Sequence, residues 1–267
     1  MKAIILAAGY ATRLYPLTLD KPKSLLPVGG KPILDYMMEQ VEALPDVTET
    51  VLVTNHKYAD QFAEWHRHRE SATAAIPPKK LTILDDGTMD VNNRLGAIRD
   101  MELALRHTGA EEDWLVVAGD NLFAFSLDGF LRFYKEHGKD SLLVQRFDRM
   151  EDLQKVGVAV LDSMLRVIRF TEKPPVPQSD IGAFGVYLYR KDTLPLISEY
   201  LREGNNPDAP GYFPEWLHKR KELRAYLADG PCWDIGTLEV YREVQKMFES
   251  GVNGQGRSDD RKEGSVT

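Results

Sequence analysis

The chain is poor in the features that would place it at once. A single cysteine, Cys232, among 267 residues excludes an intramolecular disulfide framework and a cysteine-ligated zinc site. Positive charge is not in excess: 34 Lys and Arg against 41 Asp and Glu leave −7, so the basic footprint of a general nucleic-acid binder is missing. A few local cations can still dominate a small-anion site inside an acidic protein. No apolar run approaches the roughly 20 residues that span a bilayer. The opening "MKAIILAA" is short and meets Thr12 and Arg13 almost at once, unlike a secretory leader. The expectation is a cytoplasmic globular protein without a membrane anchor. His56, His66, His68, His107, His137 and His218 show no ligand spacing, and no internal repeat is visible.

What is present is strand–helix alternation. Apolar or β-branched runs at 2–7, 50–54, 81–84 and 114–118 read as buried strands. Helical patterns at 33–44, 58–70, 96–106 and 127–136 fall between or after them. Such alternation predicts an α/β fold: a doubly wound, mostly parallel central sheet of Rossmann-like kind, with helices on both faces. The second half changes character. Strand-like runs at 141–147, 156–161, 165–170 and 184–189 are closely spaced, with Asp162-Ser163 as a turn, which predicts antiparallel additions to that sheet. Further helices are expected at 193–202 and 238–249, and a strand at 223–227. The organisation expected is one catalytic domain over 1–249, in two halves near 1–125 and 126–249. Residues 250–267 lack apolar periodicity and read as a disordered tail.

In an open parallel sheet, ligands bind beyond the carboxyl ends of the strands, so the loop after the first strand matters most. It reads "LAAGYATRLYPLTLDKPKSLLPVGGKPI". Ala7, Ala8 and Gly9 let backbone N–H groups approach a polyphosphate or base closely. Arg13 can fork two donors onto phosphate oxygens and Lys23 adds a point charge. Pro16, Pro22 and Pro27 hold the loop extended. Two phosphate fingerprints fail on spacing. Gly9 stands alone where the dinucleotide motif needs three glycines, and Gly30-Lys31 is followed by Pro32 rather than Ser or Thr. Composition alone also permits a surface loop with solvated lysines. Further on, Asp120 stands in "VVAGDN", immediately past a buried strand. A carboxylate there makes sense beside a triphosphate only with an intervening cation such as magnesium, while a turn-forming Gly-Asp-Asn is the competing reading.

The opening loop closely resembles that of the sugar-1-phosphate nucleotidyltransferases, typified by glucose-1-phosphate thymidylyltransferase and UDP-glucose pyrophosphorylase. Gly9, Thr12, Arg13, Pro16, Lys23 and Leu25-Leu26-Pro27 match, while Ala8 and Ala11 stand where many relatives carry glycine. The resemblance runs to about residue 249 through later motifs. "WDIGT" resembles the family's Asp-x-Gly-Thr, which implies that Asp234 joins Asp120 on Mg2+, with Thr237 capping the last helix. "FTEKP" implies Glu172 on sugar hydroxyls and Lys173 on the sugar phosphate. Gly157 and Asn121 match sugar-side positions. Nucleotide contacts are implied at Leu6, Ala8, Gly9, Arg13, Lys23 and Gly96, with Arg13, Lys23 and Lys173 catalytic.

The implied reaction joins a sugar 1-phosphate to a nucleoside triphosphate, releasing pyrophosphate by in-line attack on the α-phosphorus. The implied partners are those two substrates and possible copies of the chain itself, with no nucleic acid or membrane. Relatives often read Gly-Leu-Ala-x-Ala or Gly-Thr-Ala-x-Ala around the base, with a glutamine upstream. Here Gly96 stands in "RLGAIRD" without that glutamine, flanked by Arg94 and Arg99, so the base stays open. Two alternatives remain: a cytidylyltransferase acting on a non-sugar phosphate such as phosphocholine, and a non-catalytic regulatory homologue that binds nucleotide-sugar.

Overall fold

A computed structural model describes residues 1–72 and 79–249; the expected tail at 250–267 lies outside them. In chain order the strands are β1 (Lys2–Leu6), β2 (Pro27–Val28), β3 (Lys31–Pro32), β4 (Glu49–Thr54), β5 (Lys80–Asp85), β6 (Trp114–Ala118) and β7 (Asn121–Phe123). They continue with β8 (Asp140–Arg146), β9 (Gly157–Leu161), β10 (Val167–Glu172), β11 (Ile181–Tyr189), β12 (Leu223–Leu227) and β13 (Cys232–Asp234). The helices are α1 (Ile33–Ala43), α2 (Ala59–Ala72), α3 (Ala97–Thr108), α4 (Asp128–His137), α5 (Met150–Leu153), α6 (Pro195–Arg202), α7 (Tyr212–Leu217) and α8 (Leu238–Glu249).

The sheet order is β10-β9-β11-β6-β1-β4-β5, with β8 paired to β11 and β12 to β8. β1 runs parallel to β4 and β6, and β4 parallel to β5. The expected α/β architecture is therefore present, with β11 the point at which antiparallel pairing begins. Side-chain alternation along β1 decides which helices cover which face. Ala3 and Ile5 pack with α1, α2 and α4 through Leu34, Met38, Phe62 and Phe130. Ile4 faces the other way, toward α3, α6 and α7 through Ile98, Ile197 and Phe213. Both layers are completely buried at these contacts, which is why the central strands carry apolar residues at successive positions.

The structure adds elements that the pattern does not announce. β7 is three residues long and pairs antiparallel with β13, setting Asn121 opposite Asp234. Residues 212–217, "YFPEWL", form α7, and Phe213, Trp216 and Leu217 are core rather than pocket. The Thr237 hydroxyl accepts from Val240 N at 3.3 Å at the start of α8, as its capping role requires. That helix packs Tyr241 and Val244 over Leu14, Leu26 and Ile235, which clamps the opening loop onto the late strand. Among the described residues, no helix is long and apolar enough to cross a membrane.

Since Ile4 is fully buried in the middle strand, Ile4→Ala should lower the unfolding free energy by about 3 kcal/mol. Urea denaturation followed by circular dichroism measures this, and a loss under about 1 kcal/mol would contradict the packing described.

Candidate active site

The loop after β1 and the segments after β6 and β13 meet at the carboxyl ends of the central strands. The Gly119 N–H donates to the Leu6 carbonyl at 2.8 Å, and the Ser24 hydroxyl donates to the Gly119 carbonyl at 2.7 Å. A Cβ on Gly119 would stand 2.8 Å from the Leu6 oxygen, so glycine is what lets the two turns touch. Asp120 then points beside Asp234, and the Lys23 ammonium sits between them. It lies 2.5 Å from Asp120 Oδ2 and 3.7 Å from Asp234 Oδ1.

Asp234 is about a third exposed, yet its Oδ1 is buried and has no hydrogen-bond partner. Burial, and then the Asp120 charge, push its carboxyl up; Lys23 and Arg13 pull the other way. One ammonium against two acids leaves the group short of positive charge. Among the described residues no cluster of three or more His, Cys, Asp or Glu could hold a metal ion. Asp120 and Asp234 alone offer two carboxyl donors around the orphaned Asp234 Oδ1, a donor set compatible with a hard cation that takes one or two carboxylates and completes its shell with phosphate and water.

A cavity of about 690 Å3 opens over this cluster, lined by Leu6, Ala8, Gly9, Arg13, Gly96, Asp120 and Lys173. A smaller one of about 150 Å3 adjoins it and adds Asn121, Gly157, Glu172 and Asp234. Arg13, Asp120 and Lys173 border both, so the two form one cleft. Of the substrate contacts and metal ligands implied by the sequence, all border it except Lys23, whose side chain is 12% exposed and engaged by the two acids. The exposed Arg13 guanidinium makes no hydrogen bond or ion pair among the described residues, and approaches Asp234 over Gly236.

Glu172 and Lys173 are neighbours that a regular strand would send to opposite faces. β10 ends at Glu172, and Lys173 takes φ 48°, a left-handed conformation uncommon outside glycine. The bend brings Lys173 Nζ to 3.8 Å from Glu172 Oε1. The Glu172 side chain is 6% exposed, and its carboxyl occupies space that two glycines leave open. A Cβ on Gly211 would come within 1.9 Å of its Oε2, and one on Gly157 within 2.9 Å. Burial pushes this carboxyl up from 4.5 to about 7, opposed by Lys173 and reinforced by Glu215. Asn121 is buried, and its side-chain amide donates to the Phe184 carbonyl.

At the far end, Gly96 takes φ 89°, and a Cβ there would stand 2.6 Å from the Pro207 carbonyl oxygen. The N–H groups of Ala97 and Ile98 are spent on the carbonyls of Asp208 and Pro207 at 3.1 and 3.0 Å. Arg94 pairs with Asp208 at 2.7 Å. Segment 208–211, Lys155 and Asp100 are cleft residues that sequence reasoning missed. Lys155, two residues before the expected Gly157, carried the only sequence signal; a loop linking two helices carried none.

A doubly wound sheet with paired acids and converging cations at its strand ends is the arrangement in which such a sheet presents its ligand crevice. The chain belongs to the nucleotidyl transferase family, whose model matches residues 2–251. It is 32% identical over 254 residues to mannose-1-phosphate guanyltransferase beta-A of Xenopus laevis, covering 94% of this chain and 66% of that protein. It is 29% identical over 253 residues to glucose-1-phosphate thymidylyltransferase of Streptomyces antibioticus, covering 95% and 59%. The chain spans about three fifths of the length of the curated relatives it matches. A solved UDP-glucose pyrophosphorylase, complexed with UDP-glucose, shares the fold with a TM-score of 0.79 at 22% identity, over 94% of this chain and 98% of that one.

The raised Glu172 carboxyl sets a pH dependence. Its cost to folding is absent below the unfolded value of 4.5 and complete above about 7. Glu172→Gln should therefore be more stable than the parent by about 3 kcal/mol at pH 8, with the difference vanishing near pH 4; urea midpoints at the two pH values measure it. Gly211→Ala, at an ordinary φ of −72°, should cost about 1–3 kcal/mol by displacing that carboxyl. Most of the loss should return in the double variant with Glu172→Ala, and additive losses in the double variant would refute the contact.

Proposed function

We propose that the chain is a nucleotidyltransferase that joins a sugar 1-phosphate to a nucleoside triphosphate, giving a nucleotide-sugar and pyrophosphate. The observation carrying this reading is the single cleft. It has phosphate-seeking cations and an acid pair at its centre, and a buried carboxyl in a glycine cradle at one end. An oxygen of the sugar phosphate attacks the α-phosphorus, a new P–O bond forms, and the bond to the β-phosphate oxygen breaks. The attacking phosphate is ionised at neutral pH, so the protein need supply no general base. Its task is to align two polyanions and offset their repulsion.

Arg13 borders the cleft and has no partner among the described residues, which suits a bidentate hold on the departing pyrophosphate. Lys173, bent toward Glu172, binds the sugar phosphate while Glu172 accepts from sugar hydroxyls. Lys23 holds the two acids together and offsets charge at the α-phosphate from behind them. Asp120 and Asp234 are the residues that hold magnesium, which when bound supplies the positive charge that an acid pair alone would deny to phosphates. Since Lys23 is held by two carboxyls on a proline-stiffened loop, little reorganisation of that cation accompanies charge movement in the reaction. Glycines 157 and 211 around a carboxyl form a cradle for hydroxyls, whereas a quaternary ammonium such as choline calls for an aromatic box.

A pyrophosphate-release screen of five triphosphates against a panel of sugar 1-phosphates, with phosphocholine included, tests the proposal. Turnover with a sugar 1-phosphate is expected. Turnover with phosphocholine alone would give the activity to the other substrate class, and nucleotide-sugar binding without any turnover would make the protein a sensor. Arg13→Ala and Asp120→Asn should each lower turnover by about 100-fold or more with an unchanged melting temperature. Wild-type pyrophosphate release by Asp120→Asn would remove the metal role.

A further inference from the structure

Arg13, Asp120, Lys155 and Lys173 are the charged residues that border both the larger and the smaller cavity. Three of them have a role in the proposed transfer; Lys155 has none. Gln154 before it lines the larger cavity, and Val156 and Gly157 after it line the smaller, so Lys155 stands where the two join. Its backbone is fixed there by the β9–β10 pairing and its extension. Gly157 lies opposite Glu172, the Lys173 N–H donates to the Val156 carbonyl at 3.0 Å, and the Gln154 side-chain amide donates to the Pro175 carbonyl at 2.9 Å. Lys155 and Lys173 therefore stand on neighbouring stretches of backbone, one at the entry to β9 and the other just past the end of β10.

The Lys155 ammonium is not committed to the fold. It rests 2.8 Å from Asp152 Oδ1, three residues back, and the two side chains are 56% and 37% exposed. Exposed pairs of this kind hold weakly. Arg149 also reaches Asp152, at 3.9 Å, so that acid keeps a cation when Lys155 moves away. Lys23, by contrast, is engaged by two acids. The cations already given a role are Arg13, Lys23 and Lys173, and Asp120, Asp234 and Glu172 stand close enough to offset them. Two polyanions that meet at this junction call for positive charge beyond that balance.

We propose that Lys155 is a second lysine on the phosphate of the sugar 1-phosphate: its ammonium leaves Asp152 and, together with Lys173, grips that phosphate where the two cavities meet. This rests on the nucleotidyl-transfer reading for the identity of the substrate. The exchange replaces a weak exposed pair by a charge-assisted contact to phosphate, and a phosphate held by two lysines keeps its attacking oxygen aligned with the triphosphate.

Two measurements on the intact chain test this: steady-state pyrophosphate release with the substrate pair turned over fastest, and calorimetric binding of glucose 1-phosphate and mannose 1-phosphate with magnesium present. Lys155→Met keeps the length of the side chain and removes its charge. It should raise the KM and Kd for the sugar 1-phosphate roughly 10-fold or more and leave the triphosphate KM unchanged. Lys155→Arg should recover most of that affinity. Asp152→Asn separates a structural role from a phosphate contact, since it breaks the same ion pair but frees the ammonium. Sugar 1-phosphate should bind this variant as tightly as the parent or more so, and all three variants should melt with the parent. A sugar 1-phosphate constant unmoved by Lys155→Met, a loss confined to the triphosphate, or an equal loss in Asp152→Asn overturns the assignment. Normal turnover by Lys155→Met sinks this inference and leaves the transfer reading standing. A parent that binds a sugar 1-phosphate through Lys155 yet transfers to none does the reverse, and a parent that neither binds nor turns over any sugar 1-phosphate ends both.

Discussion

Two carboxyls from distant parts of the chain share one ammonium. Asp120 follows β6, Asp234 ends β13, and Lys23 reaches both from the opening loop. Bringing like charges together at a half-buried site is unfavourable unless positive charge is supplied, and a single lysine only partly supplies it. Much of the surrounding architecture serves this cluster. The β7–β13 pairing sets Asn121 across from Asp234, and α8 clamps the opening loop against Ile235. Gly119 is what lets its turn lie against Leu6. The residual demand for positive charge is the property that a metal–phosphate complex would meet.

The same logic of stored cost recurs twice in the cleft. Glu172 is held in a pocket that glycines 157 and 211 leave open, at a carboxyl energy well above that in water. The Oδ1 of Asp100 is buried with no hydrogen-bond partner among the described residues. Neither arrangement strengthens the fold, since in each the charged form of a carboxyl is disfavoured by burial. The extensive two-faced core around β1, β4 and β6 provides the stability against which such costs are set.

Strand–helix alternation in residues 1–137 was legible because buried parallel strands and amphipathic helices write different periods into sequence. The expected α/β sheet with antiparallel additions is what the chain forms. The short β7 and β13 were not legible, since three residues carry no period. Helix α7 was hidden by Pro214 and by a six-residue length. Of the residues singled out for the site, the structure gathers Arg13, Asp120, Glu172, Lys173 and Asp234 at one cleft and sets Lys23 behind the acids. Their motifs are local strings at strand ends, where an open sheet presents ligands.

By itself the sequence determined the layered sheet, the cationic opening loop and the chemical types that meet a phosphate, because these follow from hydrophobic period and from residues adjacent in the chain. Only the tertiary structure decided which acid lies beside which cation, how a left-handed Lys173 faces the same way as Glu172, and that Asp100 is buried. Those are distances between residues far apart in sequence, or conformations imposed by packing, and burial sets the energy of a charge only after the whole chain has closed around it.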